Sequence, residues 1–162
     1  MSMIYSGNNK GLSVVEIIVV IAIIVIILAS LLNLALFSLR FSIAVKETKQ
    51  ANLLAVEMIE IARNFRDSTD WHNNGLGSLV SGIAYYPLKD TAVSPPAWTL
   101  AEGEEIVGQF TRKLIFSNAN RDAEGNIIQS GGVEDSDTKQ VRAIILWKDK
   151  EIEIITYLTN WR

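Results

Sequence analysis

The residues in this chain with chemical potential fall into three groups. The first is a run of oxygen donors, Asn120, Asp122 and Glu124 with Gly125 behind them, which partly matches the spacing of a calcium loop. Ile127 occupies the usual apolar place, but the twelfth position is Gly131, where such a loop needs a bidentate Glu. Glu134, Asp135 and Asp137 form a second acidic cluster, and acidic turns of this kind also form without metal. The second group is a single imidazole, His72, with no partner ligand near it in the sequence. It reads as a loop residue rather than a base or a ligand. The third is Glu16, a lone carboxylate at the mouth of a long uncharged run. There is no cysteine, hence no thiolate site, and no phosphate-binding glycine motif.

The elements that must carry these groups follow from where the charges lie. The chain has 162 residues, and positions 1–45 hold only Lys10, Glu16 and Arg40 as charged residues. The other 30 of its 33 charges lie in the remaining 117 residues, the density of an ordinary soluble domain. Ile17 to Leu39 is a stretch of 23 uncharged residues without Gly or Pro. As a helix it extends about 35 Å, enough to cross a hydrocarbon core of about 30 Å. Its apolar core is too long for a cleaved secretory signal. Basic residues flank both ends, with Arg40, Lys46 and Lys49 on the far side, so charge counting alone would keep the C-terminal side in the cytoplasm. The net charge of −3 gives no pull toward nucleic acid.

Beyond Phe41 the pattern becomes amphipathic. Ala51, Leu54, Met58, Ile61 and Phe65, with Ala55 and Ala62 beside them, share one helical face, and Asn52, Glu57, Glu60 and Asn64 take the other. Arg63–Asp67 and Arg66–Asp70 have the spacing of i,i+4 ion pairs. The spacing predicts one helix from about Leu12 to about Arg66, ended by Ser68-Thr69-Asp70 and Asn73-Asn74-Gly75. Strands are predicted near Ile83–Tyr86 and Trp98–Leu100, over Glu105–Ser117, and over Val141–Lys148 and Ile152–Thr159 with a hairpin at Asp149-Lys150. Asn118–Asp137 reads as a long polar connection. Strands in succession after a helix, without helical crossovers, predict an α+β fold with an antiparallel sheet.

Lys10-Gly11-Leu12-Ser13-Val14-Val15-Glu16, followed at once by the apolar run, resembles the class III signal of type IV prepilins and pseudopilins. The resemblance implies a leader over residues 1–11, cleavage by a prepilin peptidase between Gly11 and Leu12, and N-methylation of Leu12. It implies a transmembrane and assembly helix over 12–40 and a pilin head over 41–162. Glu16 becomes the assembly carboxylate, paired with the amine of Leu12 or with that of a neighbouring subunit. The bland alternative is that Glu16 only marks the membrane boundary. Asn33 stands where many major pilins carry Pro.

Phe110-Thr111-Arg112-Lys113, Gly131-Gly132, Asp135 to Lys139, Trp147 and the closing Tyr157-Leu158-Thr159-Asn160-Trp161 resemble PilV-type minor pilins. So do Glu60-x-x-Arg63, Arg66-Asp67 and Trp71. The implied function is that of a structural subunit, not an enzyme, in a type IV pilus or a related type II secretion or DNA-uptake filament. The implied partners are other pilin subunits, the prepilin peptidase, an inner-membrane assembly platform and membrane lipid. The implied location is the cytoplasmic membrane, crossed once with the C-terminal domain outside, and then a surface filament. Calcium binding by Asn120, Asp122, Glu124, Asp135 and Asp137 is a secondary expectation, since some pseudopilins bind it in this region. A membrane-anchored sensor or binding domain that never polymerises is the competing expectation.

Overall fold

The computed structural model describes residues 13–92 and 96–161. One helix, α1, runs from Val14 to Ser68 without interruption. Its 55 residues correspond to about 80 Å. Seven strands follow: β1 Ala84–Asp90, β2 Ala97–Glu102, β3 Glu105–Val107, β4 Phe110–Arg121, β5 Ile127–Ile128, β6 Val133–Trp147 and β7 Lys150–Thr159. All pair antiparallel in the order β2-β1-β4-β6-β7, with β3 and β5 also on β4. The α+β class and the antiparallel sheet are as the sequence pattern predicts.

The chain divides into two compact units, with the boundary between Lys46 and Glu47. In the first, residues 13–43 are exposed throughout. In the second, Ala51, Ala55, Met58, Ala62 and Phe65 of α1 lie in one core with Leu114 and Phe116 of β4, Val141, Ala143 and Ile145 of β6, and Leu158 of β7. Burial alternates along β4 from Phe110 to Phe116, so its even-numbered residues face the core. Small residues at 51, 55 and 62 are fully buried, so that helix and sheet approach closely there. Tyr85 meets Phe116 edge to face at 5.8 Å, and Phe110 meets Trp147 at the same separation.

Several local expectations are corrected. The pairs Arg63–Asp67 and Arg66–Asp70 do not form; Arg63 pairs with Glu60 and Arg66 with Asp67. Asp70 is drawn away because its carboxylate accepts from the His72 and Asn73 backbone amides in the turn that ends the helix. The predicted strand Glu105–Ser117 is folded back on itself at Gly108-Gln109, giving β3 and β4, with Gly108 at φ +63°. The predicted connection 118–137 is mostly sheet: β4 continues to Arg121 and β6 begins at Val133, with a bulge at Asn118/Ala119. That bulge lets polar stretches stay in register where no apolar alternation announces them. The hairpin turn is Lys148-Asp149, one residue earlier than predicted, because Trp147 pairs with Lys150. Lys148 adopts φ +52°, a conformation that costs a side-chain-bearing residue roughly 1–2 kcal/mol. In that position its Nζ donates to Glu47 at 2.6 Å and holds this largely buried carboxyl below the ordinary range of a glutamate.

Candidate functional site

Gly11 and Leu12, the cleavage and methylation positions expected from the sequence, lie outside the described residues. The described chain opens at Ser13, whose carbonyl accepts from the amides of Glu16 and Ile17 at 3.0 and 3.2 Å. Ser13 therefore stands at the N-cap, and Ser13-Val14-Val15-Glu16 has capping-box spacing, a local cue that apolar periodicity does not pick up. Glu16 lies in the first turn of α1, where the helix dipole favours a carboxylate by about 0.3–1 kcal/mol. It is exposed.

From Ile17 onward the helix presents large apolar side chains on every side, with Ile17, Val20, Ile24, Leu28, Leu32 and Phe37 all exposed. A soluble monomer rarely shows apolar patches beyond a few hundred Å². This helix, near the N-terminus, is long and apolar enough to cross a membrane. Its backbone satisfies itself, and Ser30 returns its hydroxyl to the Ile26 carbonyl at 2.8 Å, so that donor does not depend on water. The candidate site is thus a linear one: a first-turn carboxylate followed by a helix surface that no other described residue covers.

Three of the five calcium candidates, Asp122, Asp135 and Asp137, accept hydrogen bonds from protein groups through their carboxylates. Asn120 sits in β4 opposite Ile128. Asp122 closes the β4–β5 turn, accepting from the Glu124 and Asn126 amides and from Asn126 Nδ2, and these bonds hold its carboxyl below the ordinary range. Glu124 is exposed at the tip of the same turn. Asp135 accepts from Thr138 Oγ1 at 2.7 Å and Arg121 Nε at 2.6 Å. Arg121 also donates to the Gly125 carbonyl, so its guanidinium ties Asp135 to the β4–β5 turn. Asp137 instead faces His72 at 3.5 Å and accepts from Asn160 Nδ2 at 3.0 Å. Among the described residues no three acidic or histidine side chains converge to hold a cation. The arrangement therefore does not fit the calcium loop its spacing partly matches.

These networks carry a pH prediction. The Thr138 hydroxyl, then Arg121, hold the Asp135 carboxyl below the ordinary range of an aspartate. A carboxyl depressed by folding contributes stability above its unfolded pKa and loses it as pH falls through the folded one. Asp135→Asn should therefore be less stable than the parent at pH 7. The difference between the two, read from urea melts, should narrow from about pH 4 downward. A gap that stays constant with pH would rule the charge out as its source.

A further group of side chains, which no sequence spacing announces, gathers at the far end of α1. Trp71 is buried and donates Nε1 to the Ser136 carbonyl, joining the loop after the helix to β6. A Cβ on Gly77 would come within 2.6 Å of the Trp71 ring, so only glycine lets the chain pass there. Trp161 is largely exposed, and its Nε1 donates to Asp67, the carboxylate that also accepts from Arg66. No protein-family model, no curated protein and no solved structure matches this chain.

Proposed function

We propose that the chain is a structural subunit of a membrane-derived filament, a minor pilin or pseudopilin, assembled through its apolar N-terminal helix. The observation that carries this reading is the joining of one uninterrupted helix, Val14–Ser68, to the motif Lys10-Gly11-Leu12 before it and Glu16 in its first turn. A plain anchor has no use for a carboxylate at the edge of an otherwise uncharged stretch. Near the centre of an inserted helix such a group costs about 2.5–3.5 kcal/mol.

In the proposed mechanism, cleavage after Gly11 leaves a positive amine on Leu12, four residues and so one helical turn from Glu16. Within one chain the two charges offset each other in the membrane. In a fibre the carboxylate meets the amine of the adjacent subunit. An ion buried without a partner costs several kcal/mol, so only the alignment that pairs the charges is stable. The exposed face of Ile17–Leu39 then exchanges lipid for neighbouring helices, and the head, residues 47–162, stays on the outside of the fibre. This assigns the chain to the cytoplasmic membrane before assembly, with a prepilin peptidase, an assembly platform and other pilin subunits as partners, and no catalytic step.

N-terminal sequencing and mass spectrometry of the membrane form test the reading. The expected product begins at Leu12 and carries one N-methyl group. A mature chain that begins at Met1 or Met3 would overturn the proposal in favour of an anchored domain that never polymerises.

A further inference from the structure

We infer that the cavity at the C-terminal end of α1 binds the ring of a neutral sugar. The cavity has a volume of about 460 Å³ and is lined by Arg66, Asp70, Trp71, His72, Asn160 and Trp161, among others. That volume is in the range of small-molecule sites rather than of extended chains.

Its aromatic wall is unusual for a surface. Trp161 is 62% exposed, although a tryptophan gains more than most residues from burial. The bond from its Nε1 to Asp67 Oδ1, 3.2 Å long, fixes the orientation of the indole. The same oxygen accepts from Arg66 Nε at 2.8 Å, so the guanidinium, the carboxylate and the indole form one connected group. An electron-rich ring in the wall of a cavity suits the C–H side of a pyranose, whose carbons carry small positive charge.

The polar lining agrees with that ligand. Its charged groups are already engaged within the protein, Arg66 with Asp67 and Asp70 with the His72 and Asn73 amides, so neither a phosphate nor an ammonium group is favoured. Donors and acceptors are mixed. Arg66 has N–H groups beyond the Nε used on Asp67, and Asn160 keeps its side-chain carbonyl while its Nδ2 holds Asp137. His72, whose Nε2 faces Asp137 at 3.5 Å, leaves Nδ1 as a further ring nitrogen for a ligand. Hydroxyl groups, which both donate and accept, complement such a lining.

The walls are tied to rigid elements. Trp71 is pinned to β6 through Ser136, and the Asn160 backbone amide donates to the Asp137 carbonyl at 2.7 Å. The site is therefore formed before any ligand arrives. It lies wholly in the unit 47–162 and is independent of whether the chain polymerises.

The test uses the full chain in micelles of a zwitterionic detergent without a sugar head group. Methyl glycosides of glucose, galactose, mannose and N-acetylglucosamine are titrated singly and followed by saturation-transfer NMR. At least one should bind saturably in the millimolar range, with transfer strongest to its ring C–H protons. Trp161→Ala should weaken it by about tenfold or more, while Trp161→Phe, which keeps an aromatic ring but loses the bond to Asp67, should fall between the parent and the alanine variant. If the alanine variant fails to fold, Asn160→Ala, which preserves the backbone bond to Asp137, should still reduce binding. The absence of saturable binding by all four glycosides would overturn the inference. So would equal binding by the parent and a folded Trp161→Ala variant.

Discussion

On the proposed filament role, Glu16→Ala should accumulate in the membrane as a processed, folded protein and be almost absent from filaments. The substitution removes a first-turn carboxylate, which weakens the N-terminus of α1 by no more than about 1 kcal/mol. Alanine is also the best helix former, so the helix persists. Insertion becomes easier, because the penalty on a charged group beside the apolar run is gone. Assembly is different. An amine packed among apolar helices without its carboxylate costs about 3–5 kcal/mol, the effect of breaking a buried pair from one side. At about 1.4 kcal/mol per factor of ten, the incorporated fraction should fall roughly a hundredfold or more. Immunoblots of membrane and sheared-filament fractions read both quantities at once. Glu16→Asp, which keeps the charge on a shorter stem, should fall between the two. Normal incorporation of Glu16→Ala would reduce Glu16 to a helix cap at the membrane boundary.

The second large effect concerns the head. Phe116 is fully buried in β4, edge-on to Tyr85 and in one core with Met58 and Ala62 of α1. Phe116→Ala should cost about 3–5 kcal/mol through lost burial and the cavity left behind. A domain of this size has a total stability of about 5–15 kcal/mol, so the melting temperature should drop by about 10–20 °C. The loss should be confined to the unit 47–162. Residues 13–43 are exposed and take no support from that core, so their helix should survive in micelles while the head becomes protease-sensitive. Thermal melts followed by near-ultraviolet circular dichroism check the size of the effect. A loss below about 1 kcal/mol would mean that the helix–sheet core is not what holds the head together.

The helical part is legible in the sequence because its signals are local. The run Ile17–Leu39 needs only its own composition to be read, and the 3–4 spacing from Ala51 to Phe65 needs only its own period. Ile59, buried beside Met58, falls outside that spacing, because the packed face of α1 is wider than the stripe it picks out. The strands are legible where apolar residues alternate, in β4, β6 and β7. They are not legible in 118–121 and 133–140, where polar residues pair across the bulge. Nor does any spacing announce Arg112. It is buried between Glu105 of β3 and Glu57 of α1, residues 7 and 55 positions away. Both carboxylates raise its already high affinity for a proton against the opposing effect of burial.

Sequence alone determined that this chain has an apolar helical front marked by Gly11, Leu12 and Glu16, and an α+β head, because hydrophobicity, period and charge are properties of neighbouring residues. Only the tertiary structure decided what becomes of the acidic groups and the tryptophans. It engages Asp122 in a turn and Asp135 with an arginine. It also brings Arg66 and Asp67 together with Trp161, 94 positions beyond Asp67, beside a cavity that Arg66 and Trp161 line. Those outcomes depend on how β6 and β7 pair and where α1 ends. Strand pairing is a contest among distant segments that no local pattern resolves.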